Sequence, residues 1–73
     1  MKNKITYNYN KLRGKIKEVF EDEQLFAPEI GMSRVSLSYK LNNKVSFSQH
    51  EISKSAELLN ITDEEINLYF FTQ

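Results

Sequence analysis

The chain is 73 residues long and sets ten lysines and arginines against ten aspartates and glutamates, with one histidine and no cysteine. That length supports a single domain with one modest core, and the lack of cysteine excludes disulfides and thiolate metal sites. One histidine cannot build a zinc site unaided, and no nucleophile-base pair, glycine-rich phosphate loop or metal-ligand cluster stands out, so no enzyme, cofactor or small-molecule substrate is expected. With no signal peptide and no long apolar run, the expectation is a soluble cytoplasmic protein with no membrane contact.

In chain order, Ile5, Thr6, Tyr7, Asn8 and Tyr9 alternate apolar and polar side chains, which predicts an extended segment with Ile5, Tyr7 and Tyr9 on one side. The closing Tyr69-Phe70-Phe71-Thr72 has two readings, pairing with that segment or continuing the last helix. Helix 1 is predicted over about 10–20, capped by Asn8 or Asn10, with Leu12, Ile16, Val19 and Phe20 at helical spacing and a basic opposite face of Lys11, Arg13, Lys15 and Lys17. Helix 2 is predicted over about 22–30 from an Asp22 cap, with Phe26, Ala27 and Ile30 inward. Pro28 conflicts with that helix, since an interior proline costs on the order of 3 kcal/mol, so a kink, a shortening or partial unwinding is expected there. Helix 3 follows over about 34–41 from a Ser33 cap, with Leu37 and Leu41 inward and Asn42-Asn43 suited to a left-handed ending. Ser48-Gln49-His50-Glu51 reads as a capping box opening helix 4, about 49–59, with Ile52, Ala56 and Leu59 as its apolar stripe. Phe47 is the plug in the loop before it, and His50 a solvated residue of its first turn. Thr62-Asp63-Glu64-Glu65 is a second box opening helix 5, about 63–69, with Ile66 and Phe70 buried. The predicted class is all-α, a compact five-helix domain with short extended termini.

The centre of the chain carries a more specific pattern. Ala27 is small where two helices must cross closely, Gly31 permits the positive φ of a tight turn, and Leu37 and Leu41 lie four apart on one helical face, which together read as a helix-turn-helix. The run A-x-x-x-G-M-S-R-x-x-L-S-x-x-L-N-N, Ala27 through Asn43, resembles the small Cro-type and repressor-type (XRE-like) regulators of temperate phages, and the resemblance extends from about Leu12 to about Ile66. Tyr7-Asn8-Tyr9 and Tyr69-Phe70-Phe71 resemble a Gram-positive phage subset that includes lytic-side proteins of the modulator-of-repression type. The resemblance implies a five-helix repressor-like fold and a role in a phage genetic switch, and it leaves two mechanisms open.

In the first, operator DNA is read through helix 3. Arg34 meets a guanine or a phosphate, Ser38 a base edge and Val35 a thymine methyl, with Tyr39 on the same outer face and Lys40, Asn43 and Lys44 following the backbone. In the second, the protein is an antirepressor: Asp22, Glu23 and Glu29 meet the basic face of the cognate phage repressor, with Arg34, Val35 and Tyr39 alongside. The resemblance places Glu23 where the family often has a glutamine bonded to a DNA phosphate, and a carboxylate there repels phosphate. Asp22 and Glu23 also have a plainer use, complementing the dipole of helix 2. The balanced net charge leans away from simple phosphate binding, whereas the basic first helix and Arg34 lean toward it. A homodimer would use the terminal aromatics.

Overall fold

The computed structural model describes residues 6–73, and Ile5 of the expected extended segment lies outside them. Among the described residues there are five α-helices and no strand: α1 Asn10–Phe20, α2 Glu23–Phe26, α3 Arg34–Leu41, α4 Gln49–Leu59 and α5 Ile66–Phe70, with 3-10 turns at Ala27–Ile30 and Asp63–Glu65. None of these helices is long and apolar enough to cross a membrane.

Helix α1 starts after Tyr9, and the Asn8 carboxamide oxygen accepts from the Asn10 backbone N–H at 2.9 Å, so Asn8 rather than Asn10 tends this end. Its inward face is Leu12 and Ile16, both buried. Val19, expected on that stripe, is instead 46% exposed, while Phe20 turns half inward to meet Phe26 edge to face at 5.2 Å between ring centres. One turn of the helix is thus enough to carry the apolar stripe off the core.

Helix α2 begins where expected, with Asp22 accepting from the Gln24 N–H at 2.9 Å. It does not run to Ile30 as an α-helix. After Phe26 the chain tightens into the 3-10 turn Ala27–Ile30, with Pro28 in its first positions. This arrangement resolves the proline conflict, because the missing N–H falls at the start of a new helical segment, where no intrahelical partner is required. Phe26, Ala27 and Ile30 all remain buried. Gly31 ends the turn at φ 77°, in the left-handed region, and the Met32 N–H closes it onto the Ala27 carbonyl at 3.1 Å.

Ser33 caps α3 through the Ser36 N–H at 3.1 Å. At the other end Asn43, not Asn42, takes the left-handed conformation, at φ 63°. The α4 capping box is complete: Ser48 Oγ accepts from the Glu51 N–H at 3.1 Å and the Glu51 carboxylate accepts from the Ser48 N–H at 2.9 Å. Helix 5 differs from expectation in form, since its opening is the 3-10 turn and its α portion is Ile66–Phe70. Glu65 still accepts from the Thr62 N–H at 3.1 Å, the half of the box its spacing implies.

The core gathers Tyr9, Leu12, Ile16, Phe26, Ala27, Ile30, Leu37, Leu41, Ala56, Leu59, Ile61 and Phe70. Burying each large side chain stabilises the fold by about 1.5–3 kcal/mol, before conformational entropy is set against it. Both readings of the C-terminus hold in part. Tyr69 and Phe70 continue α5, then Thr72 O accepts from the Asn8 N–H at 2.6 Å, so among the described residues one backbone bond ties the segment before α1 to the residues after α5.

Candidate functional site

Helices α2 and α3, joined through Gly31, pack on one another, and the inward turn of Leu37 and Leu41 leaves Arg34, Val35, Ser38 and Tyr39 outward. Val35 is 56% and Tyr39 49% exposed, and at four residues' spacing they are neighbours on the helix surface. Leu25 of α2 is 57% exposed as well. Arg34 is exposed and makes no ion pair among the described residues.

The remaining candidates differ in how free they are. Lys40 turns back to Glu51, with Nζ 2.7 Å from Oε1, and so ties the end of α3 to the start of α4. Burial works against the Glu51 carboxylate, but hydrogen bonds from Lys40 and Ser48 and the Lys40 charge outweigh it and hold its pKa below the ordinary value. Asn43 is committed to the backbone of Tyr7: its Oδ1 accepts from the Tyr7 N–H at 2.8 Å and its Nδ2 donates to the Tyr7 carbonyl at 2.9 Å. Lys44 is exposed, and its backbone N–H closes onto the Tyr39 carbonyl at 2.8 Å.

Of the three acids, Asp22 is exposed and spends one oxygen on its cap, and Glu29 is exposed. Glu23 is half-buried and accepts from Arg13 Nη1 at 2.9 Å. Arg13, assigned from the sequence only to a basic face, therefore joins α1 to α2. Its other amino group lies 3.5 Å from Asn42 Oδ1. Neither pairing had a local signal, because Arg13 and Glu23 are ten residues apart and Arg13 and Asn42 twenty-nine. His50 is exposed in the first turn of α4.

A groove of about 450 Å³ lies on another part of the surface, between the residues before α1, the loop after α3 and the end of α5; Tyr9 there, at φ -100° and ψ 17°, is not extended as expected. Its walls include Tyr7, Tyr9, Phe47, Phe70 and Phe71, whose rings meet in successive contacts of 5.3 to 6.1 Å between centres. Part of the terminal aromatic surface is thus spent inside the molecule: Phe70 is buried and Tyr69 is half-buried with Lys11 Nζ 5.6 Å from its ring centre, whereas Phe71 packs edge-on to Tyr7 but stays exposed.

These features define a small, all-helical domain whose most exposed apolar side chains include the outer face of α3. The chain belongs to the family described as "Protein of unknown function (DUF739)", which matches residues 5–73. Among solved structures it is similar to the modulator of repression (MOR) of the temperate bacteriophage TP901-1 from Lactococcus lactis, at 36% identity and a TM-score of 0.78, over 94% of this chain and 93% of that one. No curated protein matches the chain.

Proposed function

We propose that this chain is a regulator of a phage genetic switch that works as an antirepressor, docking its α2–α3 face on the DNA-binding surface of the cognate phage repressor. The observation that carries the reading is the outer face of α3, where two half-exposed apolar side chains, Val35 and Tyr39, stand side by side. A helix that reads base edges is expected to present hydrogen-bonding side chains, whereas an apolar pair suits an anchor between proteins. The similarity to a modulator of repression along nearly the whole chain supports the same reading. So does the carboxylate of Glu23 at the start of α2, where a phosphate contact is poorly served. The exposed acids Asp22 and Glu29 suit a basic partner surface.

Direct operator binding is the second reading, favoured by the exposed Arg34, which has no ion pair among the described residues, and by Lys44 beyond the helix end. In that reading Lys40 and Asn43 must first leave Glu51 and Tyr7 to reach DNA. Self-association would fall to Leu68 and Phe71, the exposed apolar residues of the C-terminal end.

Titration of the purified protein against labelled early-promoter DNA, with and without the repressor of the same phage, separates the two. An antirepressor strips repressor from DNA without retarding DNA alone. Val35→Ala and Tyr39→Ala should each weaken the repressor complex by roughly 1–3 kcal/mol. Retardation of DNA by the protein alone, lost in Arg34→Ala, would reverse the assignment.

A further inference from the structure

The α2–α3 face has no covalent brace, and its two helices both meet one side chain of α1. Arg13 donates from Nη1 to Glu23 Oε2 at 2.9 Å, in the first turn of α2, and its Nη2 lies 3.5 Å from Asn42 Oδ1, at the end of α3. Asn42 in turn donates from Nδ2 to the Ser38 carbonyl at 2.9 Å and to Ser38 Oγ at 3.3 Å. Ser38 lies between Val35 and Tyr39 in α3. A continuous path of polar contacts therefore runs from the start of α2, through Arg13 of α1, to the outer side of α3.

From this geometry we infer that Arg13 is a positioning residue of the docking face, setting α3 against the start of α2 through Glu23 and Asn42. The inference rests on the antirepressor reading and adds to it a residue on another helix. Guanidinium suits this role, because its planar fork presents donors on two separate nitrogens in a fixed geometry, whereas a lysine ammonium donates from one nitrogen on a flexible stem. It also gives Glu23 a different part: its carboxylate is half of an internal pair, which leaves Asp22 and Glu29 as the exposed acids for the partner.

The test is a double-mutant cycle on binding to the purified repressor of the same phage, with thermal unfolding of each variant alongside. Arg13→Ala should weaken the complex roughly tenfold, and Arg13→Lys, which keeps the charge and loses the fork, should weaken it nearly as much. Because the effect passes through α3, the loss from Val35→Ala should shrink in the Arg13→Ala background, where an independent site would give additive losses. Arg13→Lys is the safeguard against simple unfolding, and its circular dichroism spectrum should match the wild type. Full affinity in Arg13→Lys, or strict additivity with Val35→Ala, overturns the inference while leaving the antirepressor function standing. Failure of the wild-type chain to bind repressor at all overturns that function, which is a different result from wild-type binding that ignores Arg13.

Discussion

Ser55 lies fully buried in α4 with its hydroxyl oxygen lacking a hydrogen-bond partner among the described residues. A buried hydroxyl left unbonded costs about 1–3 kcal/mol, and alanine is also the better helix former. Ser55→Ala should therefore raise stability by about 1 kcal/mol, seen as a rise of roughly 4 °C in the thermal midpoint. A lower midpoint would mean that the hydroxyl is bonded in solution. Asn43 illustrates the opposite case. Its neighbour Asn42 and its place after α3 mark it as a helix-ending residue, and its φ of 63° agrees. That its side chain also brackets the Tyr7 backbone, thirty-six residues away, follows from no local pattern.

At the scale of elements, the helices with the clearest local punctuation formed where their sequences place them. Ser33 and Ser48 each accept the N–H three residues on, and α3 and α4 begin immediately after them. Helix 2, like the opening of helix 5, departs from expectation, because periodicity alone does not tell an α-turn from a 3-10 turn while Phe26, Ala27 and Ile30 stay buried in either. Pro28 fits the observed turn, so its fixed φ lowers the entropy of the unfolded chain without removing a needed bond. Pro28→Ala should then destabilise the protein by about 0.4–1 kcal/mol in denaturant titration. Stabilisation instead would show that α2 continues through this position as an α-helix. Val19 has a related lesson: a residue at core spacing is buried only if a neighbour covers it, and in the last turn of α1 Phe26 covers Phe20 while Val19 stays exposed.

For the molecule as a whole, burial over a small core is supplemented by ties between elements distant in sequence. Lys40 with Glu51 joins α3 to α4, and Asn8 with Thr72 joins the residues before α1 to those after α5. These ties give stability a definite pH dependence. Glu51 has its pKa lowered from 4.5 on folding, so its contribution is complete above that value and is lost as pH falls through the folded one. Tyr9 has its pKa raised from 10.0, by burial first and by Tyr7 second, so its contribution is complete below that value and is lost as pH rises through the folded one. Thermal midpoints measured across pH should thus fall on acidification below about 4.5 and again on alkalinisation above about 10. Glu51→Gln should start from a lower midpoint at neutral pH and lose part of the acid slope. An unchanged acid slope in that variant would show that the Lys40 pair contributes nothing to stability.

The amino-acid sequence by itself determined the all-helical class, the tight turn at Gly31, the caps of α2, α3 and α4, and the outward placing of Arg34, Val35, Ser38 and Tyr39, because each depends on residues within about one or two helical turns. Tertiary structure alone decided which charges are free. Arg13 and Glu23, and Lys40 and Glu51, look like surface charges when read along the chain, and become struts only when packing brings their helices together. The same packing spent Asn43 on the N-terminal segment and Phe70 on the core, and left Val35 and Tyr39 in the open. Periodicity reports which face of a helix turns inward, whereas the partner of a long polar side chain depends on helix crossing geometry, which no single segment encodes.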